Sequence, residues 1–284
     1  MILITGAAGK TGRAVIAALA ARGARIRALV RRGEQVAALE ALGAAEAVIG
    51  GFEDAGALAR AAAGTRAVYH ICPNVSRHEL VFAAAVIAAA QAHGVERFVY
   101  HSVLHPQIEA MPHHWQKMRV EEMLFAAGFA LTVLQPAAYM QNILGAWRGI
   151  SGEGVFRVPY PVETRLSLVD LDDVAEAAAV VLTTDGHAGA TYELVGTPAL
   201  SQTEVAAAIG AVLGRDVEAE AETVEAWEAR AASLGDYERT ALAAMFRYYA
   251  RHGLAGNSNT LRWLLGRAPN DLGKFLIRAA RFSG

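Results

Sequence analysis

The opening residues already set out a binding chemistry. Ile2-Leu3-Ile4-Thr5-Gly6-Ala7-Ala8-Gly9-Lys10-Thr11-Gly12 carries an apolar strand into three glycines spaced GxxGxxG, then into a helix whose apolar face is Val15, Ile16 and Leu19. Glycines at that spacing let the backbone approach a pyrophosphate and set it against the N–H groups of the helix N-terminus. Gly6, Ala8, Gly9, Lys10, Thr11 and Gly12 are therefore the candidate contacts. Gly9-Lys10-Thr11 imitates the tail of a Walker A loop, but the first glycine of that motif would fall on Ile4, inside the strand. A tight turn with no ligand is the plain alternative; a strand before it and βα units after it favour the ligand.

A second chemistry sits at Arg31-Arg32, the tip of the run Ala24 to Val30. An acidic residue there would bind the ribose 2′-hydroxyl of NAD, whereas an arginine accommodates a 2′-phosphate. The tip has no Asp or Glu, so NADP(H) is expected rather than NAD(H). The counter-reading is compositional, because only three of the 26 basic residues are lysines and any exposed basic position drifts toward Arg. The same bias singles out Lys10, in the phosphate turn, and Lys117, on the helix after the strand ending at Ser102. Pairing with Glu121 one turn on is the structural alternative for Lys117.

Seven of the nine histidines (His70, His78, His93, His101, His105, His113 and His114) fall between positions 70 and 114. His101 and His105 have i, i+4 spacing, which gathers metal ligands on a helix, but these two straddle a strand end next to Pro106. No metal is expected.

The elements that must position these residues form an alternating series. Strands are expected near 2–5, 25–30, 46–49, 66–71, 97–102 and 130–134, with helices at 10–22, 34–42, 54–63, 77–93 and 113–127. Such an alternation gives right-handed crossovers and a parallel α/β sheet of Rossmann type, doubly wound with helices on both faces. Ligands of such sheets bind at the carboxyl ends of the strands. Those ends are Thr5 to Gly12, Arg31-Arg32, Gly51-Phe52, Ile71 to Asn74, Ser102 to Pro106 and Gln135 to Tyr139.

Past residue 135 glycines at 145, 149, 152 and 154 break the pattern, and Pro159 and Pro161 flank Tyr160. A smaller, mostly helical lobe is expected over 136–284, fused to a nucleotide-binding domain over 1–135, with 166–196 returning to the sheet. Asp170 to Thr183 reads as a helix, Thr191 to Val195 as a strand, and Ser201 to Leu213 as a helix opened by a Ser201-x-x-Glu204 capping box.

Composition bounds the rest. Of 284 residues 54% are hydrophobic and 19% charged, which excludes intrinsic disorder. A formal charge of -2 supplies no basic surplus for nucleic acid. The single cysteine, Cys72, forms no intramolecular disulfide, and Met1 leads straight into a strand with no secretory leader, so a reducing cytoplasm is expected. No run approaches the ~20 apolar residues that span a bilayer.

The chain resembles the NmrA-like branch of the atypical short-chain dehydrogenases/reductases. The resemblance is carried by Thr5 to Gly12, Arg27 to Arg31, Phe98-Val99-Tyr100-His101-Ser102-Val103, Lys117 with Glu121, Leu134-Gln135-Pro136, Leu168-Val169-Asp170-Leu171-Asp172-Asp173-Val174-Ala175, and Gly210 to Gly214. It implies an NADP(H) domain, a small substrate lobe and a cleft between them. It also implies cofactor contacts from Ile71, Cys72, Pro73, Ser102 and Pro136, with Lys117 on the nicotinamide ribose. Substrate would meet His105, His113, Tyr139 and Tyr160. Two departures stand out. The Tyr-x-x-x-Lys of active short-chain enzymes becomes His113-His114-Trp115-Gln116-Lys117, leaving His113, or a tyrosine from elsewhere such as Tyr139 or Tyr160, to act as the acid. Gly51 stands where an Asp is common, leaving Phe52 beside the adenine.

Two functions are compatible with these features. One is an NADPH-dependent oxidoreductase passing hydride to a small conjugated acceptor of the quinone, dye or enone class, as monomer or homodimer. The other is a catalytically weak NADP(H)-sensing regulator that binds a protein partner. Lys117 and the long substrate lobe favour the enzyme.

Overall fold

The computed structural model describes residues 1–282; the last two residues of the expected helical lobe, Ser283 and Gly284, lie outside the described residues. Eleven strands and twelve α-helices are present among them. In chain order they begin β1 (Ile2–Ile4), α1 (Lys10–Ala20), β2 (Ile26–Val30), α2 (Val36–Glu40), β3 (Glu46–Ile49), α3 (Ala55–Ala62), β4 (Ala67–His70), α4 (Glu79–Ala92), β5 (Arg97–His101), α5 (Pro112–Phe125) and β6 (Ala130–Pro136). There follow β7 (Ala138–Tyr139), α6 (Trp147–Glu153), β8 (Val155–Val158), β9 (Leu168–Val169), α7 (Leu171–Thr183), β10 (Ala190–Leu194), α8 (Gln202–Leu213) and β11 (Glu218–Ala221). Four helices close the chain: α9 (Val224–Arg230), α10 (Asp236–His252), α11 (Ser258–Leu265) and α12 (Leu272–Phe282).

The central sheet has seven strands in the order β10-β6-β5-β4-β1-β2-β3. Pairs β1/β2, β2/β3, β1/β4, β4/β5 and β5/β6 are parallel, as the expected α/β Rossmann reading requires. Strand order reverses between β1 and β4, the switch point at which open sheets hold their ligands. Strands buried on both faces read as continuous apolar runs, which is why Ile2-Leu3-Ile4 is 3% exposed or less throughout.

Local chemistry sets the element ends. Asp54 caps α3 by accepting from Ala57 N at 2.8 Å, and Pro112 opens α5, where its missing N–H is no loss. The helix expected over 34–42 is shorter than its pattern: a 3-10 turn over Gly33–Gln35 precedes a five-residue α2. On one face of the sheet Leu58, Ala83, Val86, Ile87, Phe98, Tyr100, Val120 and Leu124 form a continuous core from α3, α4, β5 and α5.

The chain divides into two compact units. The first comprises Met1–Gln107, His114–Gln135 and Val174–Tyr192; the second comprises Ile108–His113, Pro136–Asp173 and the residues from Glu193 onward. The second has its own core of Met140, Ile143, Trp147, Ile150, Phe156, Val205, Ile209, Phe275 and Leu276. Ser201 caps α8 with the expected capping box, accepting from Glu204 N at 3.2 Å while Glu204 accepts from Ser201 N at 2.7 Å. Two fully buried carboxylates tie this unit together. Asp173 accepts from Arg267 at 2.7 Å and from Asn270 N at 2.6 Å; Asp170 accepts from Gln141 at 2.8 Å, from Asn270 Nδ2 at 3.0 Å and from Arg278. The Asp-rich segment that carried the family resemblance is thus a clamp on the chain's last helices.

Candidate active site

The glycine turn forms as its sequence requires. Gly6 has φ +61°, and a Cβ there would stand 2.6 Å from Ile71 O. A Cβ on Gly12 would meet Gly6 O at 2.5 Å and Ala7 Cα at 2.6 Å, so Gly12 is required for packing the turn against its own helix. Gly9 differs: its added Cβ would meet only Gly6 O, at 3.3 Å. Gly9 is exposed and is the N-cap of α1, with no side-chain cap and no acidic residue in the first turn. A glycine N-cap brings no side chain of its own to the start of this eleven-residue helix, and a glycine-lined turn at a helix N-terminus suits a pyrophosphate. Lys10 is exposed beside it, and partial burial lowers its pKa. Ala8 is half-buried and Thr11 buried.

The tips of β1 and β4 are knit together at the switch point. Thr5 Oγ1 lies 2.8 Å from His70 Nδ1 and accepts from Ile71 N at 3.0 Å. His70 is wholly buried and its Nε2 has no hydrogen-bond partner; burial lowers its pKa to about 4. Ile71 and Cys72 are buried and Pro73 is exposed; burial, then Glu79, raises the Cys72 thiol pKa. Arg31 and Arg32 emerge exposed from the tip of β2. Arg32 is paired with Glu34 at 3.0 Å, an acid two residues beyond the Arg31-Arg32 tip. Phe52 is half-buried, stacked on Phe82 at 5.0 Å and edge-on to His70 at 5.7 Å.

Lys117 is engaged, though not by Glu121. Its Nζ donates to Glu79 Oε1 at 2.9 Å and to the His101 carbonyl at 3.2 Å, with the side chain 7% exposed. Tyr100 OH also donates to Glu79 Oε1, at 2.8 Å. Burial opposes ionisation of Glu79, but the Lys117 charge and the Lys117 and Tyr100 hydrogen bonds outweigh it and hold its pKa below the ordinary value. Glu121 instead accepts from the Ser102 hydroxyl and from Gln135 Nε2 at 3.0 and 3.1 Å, and burial raises its pKa. Ser102, 1% exposed, and Lys117 thus anchor α5 to the carboxyl end of β5.

The histidines separate. His101 Nδ1 lies 2.7 Å from Tyr69 OH, and burial lowers its pKa to about 3. His114 turns inward with Nδ1 3.4 Å from the His105 carbonyl, its pKa lowered by burial to about 4, while His113 is half-buried. His105 is held at φ +53°, an uncommon backbone state for a residue with a side chain.

In the second unit Pro136 is buried and Tyr139 half-buried, in register with Val169 of β9. Tyr160 lies 6.0 Å from Phe246 and 6.1 Å from Tyr249, and burial raises its phenol pKa well above the ordinary value.

Sequence reasoning did not single out Glu79, Tyr100, Gln135 or His114. Glu79 follows Arg77-His78 and reads as a solvated helix start; only the fold brings it to a lysine 38 positions away. One signal was available for Gln135: a polar residue inside an apolar strand needs a partner.

These features define a Rossmann-type α/β protein with a dinucleotide turn and a buried lysine at the carboxyl end of β5. The NmrA-like family model matches residues 1–274, and the chain belongs to that family. It is 32% identical to an NAD(P)H azoreductase of Xenophilus azovorans, over 97% of this chain and 96% of that protein. It is also 32% identical to a (4-alkanoyl-5-oxo-2,5-dihydrofuran-3-yl)methyl phosphate reductase of Streptomyces griseus, over 94% and 93% of the two chains. The crystal structure of the NADPH-dependent quinone oxidoreductase QOR2 of Escherichia coli complexed with NADPH superposes with a TM-score of 0.88 at 28% identity, covering 99% of this chain and all of that one.

Proposed function

We propose that this protein is an NADPH-dependent oxidoreductase that reduces small conjugated acceptors of the quinone, dye or enone class. The observation that carries the cofactor half is the Gly6 to Gly12 turn, closely packed at Gly6 and Gly12 and open at the glycine N-cap of α1. Full-length relatives named as reductases of azo compounds, butenolides and quinones support the acceptor class.

When bound, the dinucleotide supplies the hydride. The chain's own residues bind and aim it. The Gly6 to Gly12 turn and the start of α1 take the pyrophosphate, and Arg31, aided by Arg32, takes the 2′-phosphate through charge-assisted hydrogen bonds. The Ile71 to Pro73 turn and Phe52 border the adenine side, and Lys117, Ser102 and Pro136 belong to the nicotinamide side. Lys117 has three N–H donors, two of which go to Glu79 and the His101 carbonyl, leaving one for a ribose hydroxyl. His105, His113, Tyr139 and Tyr160 meet the acceptor. A conjugated acceptor delocalises the charge left by hydride addition, so a half-buried phenol or imidazole suffices as acid, and no tyrosine is needed at position 113.

NADPH oxidation followed against quinones, azo and triphenylmethane dyes and enones tests the assignment. Acceptor-dependent oxidation is the expected result. Tight NADPH binding with no turnover across that panel would instead support the sensor reading.

A further inference from the structure

Glu79 is a buried carboxylate at the first position of α4, a place where most glutamates are solvated, and its side chain is 2% exposed. It accepts from Lys117 Nζ at 2.9 Å and from Tyr100 OH at 2.8 Å. Lys117 Nζ spans from that carboxylate to the His101 carbonyl at 3.2 Å and stands 5.3 Å from the centre of the Tyr100 ring. The four groups come from α4, α5 and β5, and they close the two loops that leave β4 and β5 at the sheet's carboxyl edge. Each of those loops holds a non-glycine residue in the left-handed region, Val75 at φ +49° and His105 at φ +53°. Such residues persist where the surrounding structure over-determines them.

A buried ion pair is a poor source of stability, because desolvation of both charges offsets most of their attraction. What it supplies is a fixed position for a charge. A lysine has four rotatable side-chain bonds, and an ammonium shut away from water needs a counter-charge to stay in place.

Resting on the NADPH reading above, we propose that Glu79 is the positioning residue for Lys117. Its carboxylate, steadied by Tyr100, fixes Nζ against the His101 carbonyl so that the remaining N–H is presented to the nicotinamide ribose. Glu79 itself need not touch dinucleotide or acceptor.

The test is a double-mutant cycle on the full chain with Glu79→Gln, Lys117→Met and the double variant. NADPH affinity is read by calorimetry, turnover by steady-state kinetics and folding by thermal melts. Glu79→Gln is expected to weaken NADPH binding roughly tenfold and to lower kcat further, while adding nothing to either effect in the Lys117→Met background. Tyr100→Phe, which keeps the ring and removes one hydrogen bond, should move both in the same direction by less; Glu79→Asp should recover part of the loss. A folded Glu79→Gln protein with unchanged affinity and kcat overturns the proposal, as do losses that simply add to those of Lys117→Met. If Glu79→Gln does not fold, Tyr100→Phe and Glu79→Asp carry the test alone, and wild-type behaviour in both overturns it. Wild-type turnover with additive losses would sink the positioning role and leave the reductase standing. Coupled losses of affinity in a protein that reduces no acceptor would do the reverse.

Discussion

The carboxyl edge of the first unit and the Asp170/Asp173 clamp of the second solve the same problem, the placement of charged groups, by different means. At the edge, regular strand-to-helix spacing does most of the placing: the turn behind β1 and the arginines behind β2 fall where the βα repeat puts them. In the clamp, carboxylates at the start of α7 reach arginines 94 and 108 positions away. Local order therefore places the groups proposed to meet the dinucleotide, whereas long-range polar pairing holds the last helices. The edge should tolerate loss of a ligand group without unfolding, and the clamp should not.

The largest expected effect breaks the edge. Gly9→Val should weaken NADPH binding at least about 100-fold, the loss of two charge-assisted contacts of roughly 1.5–3 kcal/mol each, with the far-ultraviolet circular dichroism unchanged. Gly12→Val should not be equivalent. Its side chain would collide with the backbone of Gly6 and Ala7, so its circular dichroism and melting temperature should fall with its affinity. Calorimetry beside circular dichroism on the two variants separates the roles, and equal behaviour would remove the distinction.

The clamp is next. Asp173→Ala strips Arg267 and the Asn270 N–H of their buried partner. A loss of about 2–3 kcal/mol in urea unfolding is expected, below the range for a fully buried pair because Arg267 is partly exposed. NADPH affinity of the protein that remains folded should be unchanged.

Acid sharpens the comparison from the side of the edge. His70, His101 and His114 have folded pKa values lowered from 6.5 to about 4, about 3 and about 4. Between those values and 6.5 the unfolded chain binds more protons than the native one, so stability is full above 6.5 and falls as pH drops. The slope approaches about 1.4 kcal/mol per pH unit for each histidine. Urea midpoints at pH 7.5, 6.5 and 5.5 should show the drop beginning below 6.5, and His114→Asn should flatten it.

The smallest effects concern selectivity. Arg31→Ala should reduce the NADPH over NADH preference roughly tenfold, the low end for an exposed charge-assisted contact, and Arg32→Ala by less because Glu34 already holds it. His113→Phe should raise KM for the acceptor while leaving kcat and its pH profile in place. A lost near-neutral pKa in that profile would make His113 the acid instead.

The pattern of what was legible follows from the same contrast. The conformation of the Gly6 to Gly12 turn, the place of Arg31-Arg32 at the end of β2, the parallel sheet and the Ser201 capping box were readable because each is set within a few residues by backbone sterics or apolar periodicity. The partner of Lys117 was not. Glu121 one turn away was the local candidate, yet Glu79 on another helix holds the lysine, while Glu121 is occupied by Ser102 and Gln135. His113 and His114 were likewise indistinguishable, since adjacent helix positions differ only in the direction they face and α5 carries polar residues on most sides. Asp170 and Asp173 were noticed as a family segment, but their partners lie beyond any local window.

If the proposed reductase reading holds, hydride from bound NADPH reaches a conjugated acceptor, and absorbance at the NADPH band, followed with a simple quinone and then an azo dye, reads that transfer out. Acceptor-dependent NADPH oxidation is expected, lowered by Lys117→Met by more than the loss of cofactor affinity explains. Background-level oxidation by a protein saturated with NADPH, across quinones, dyes and enones alike, would contradict it.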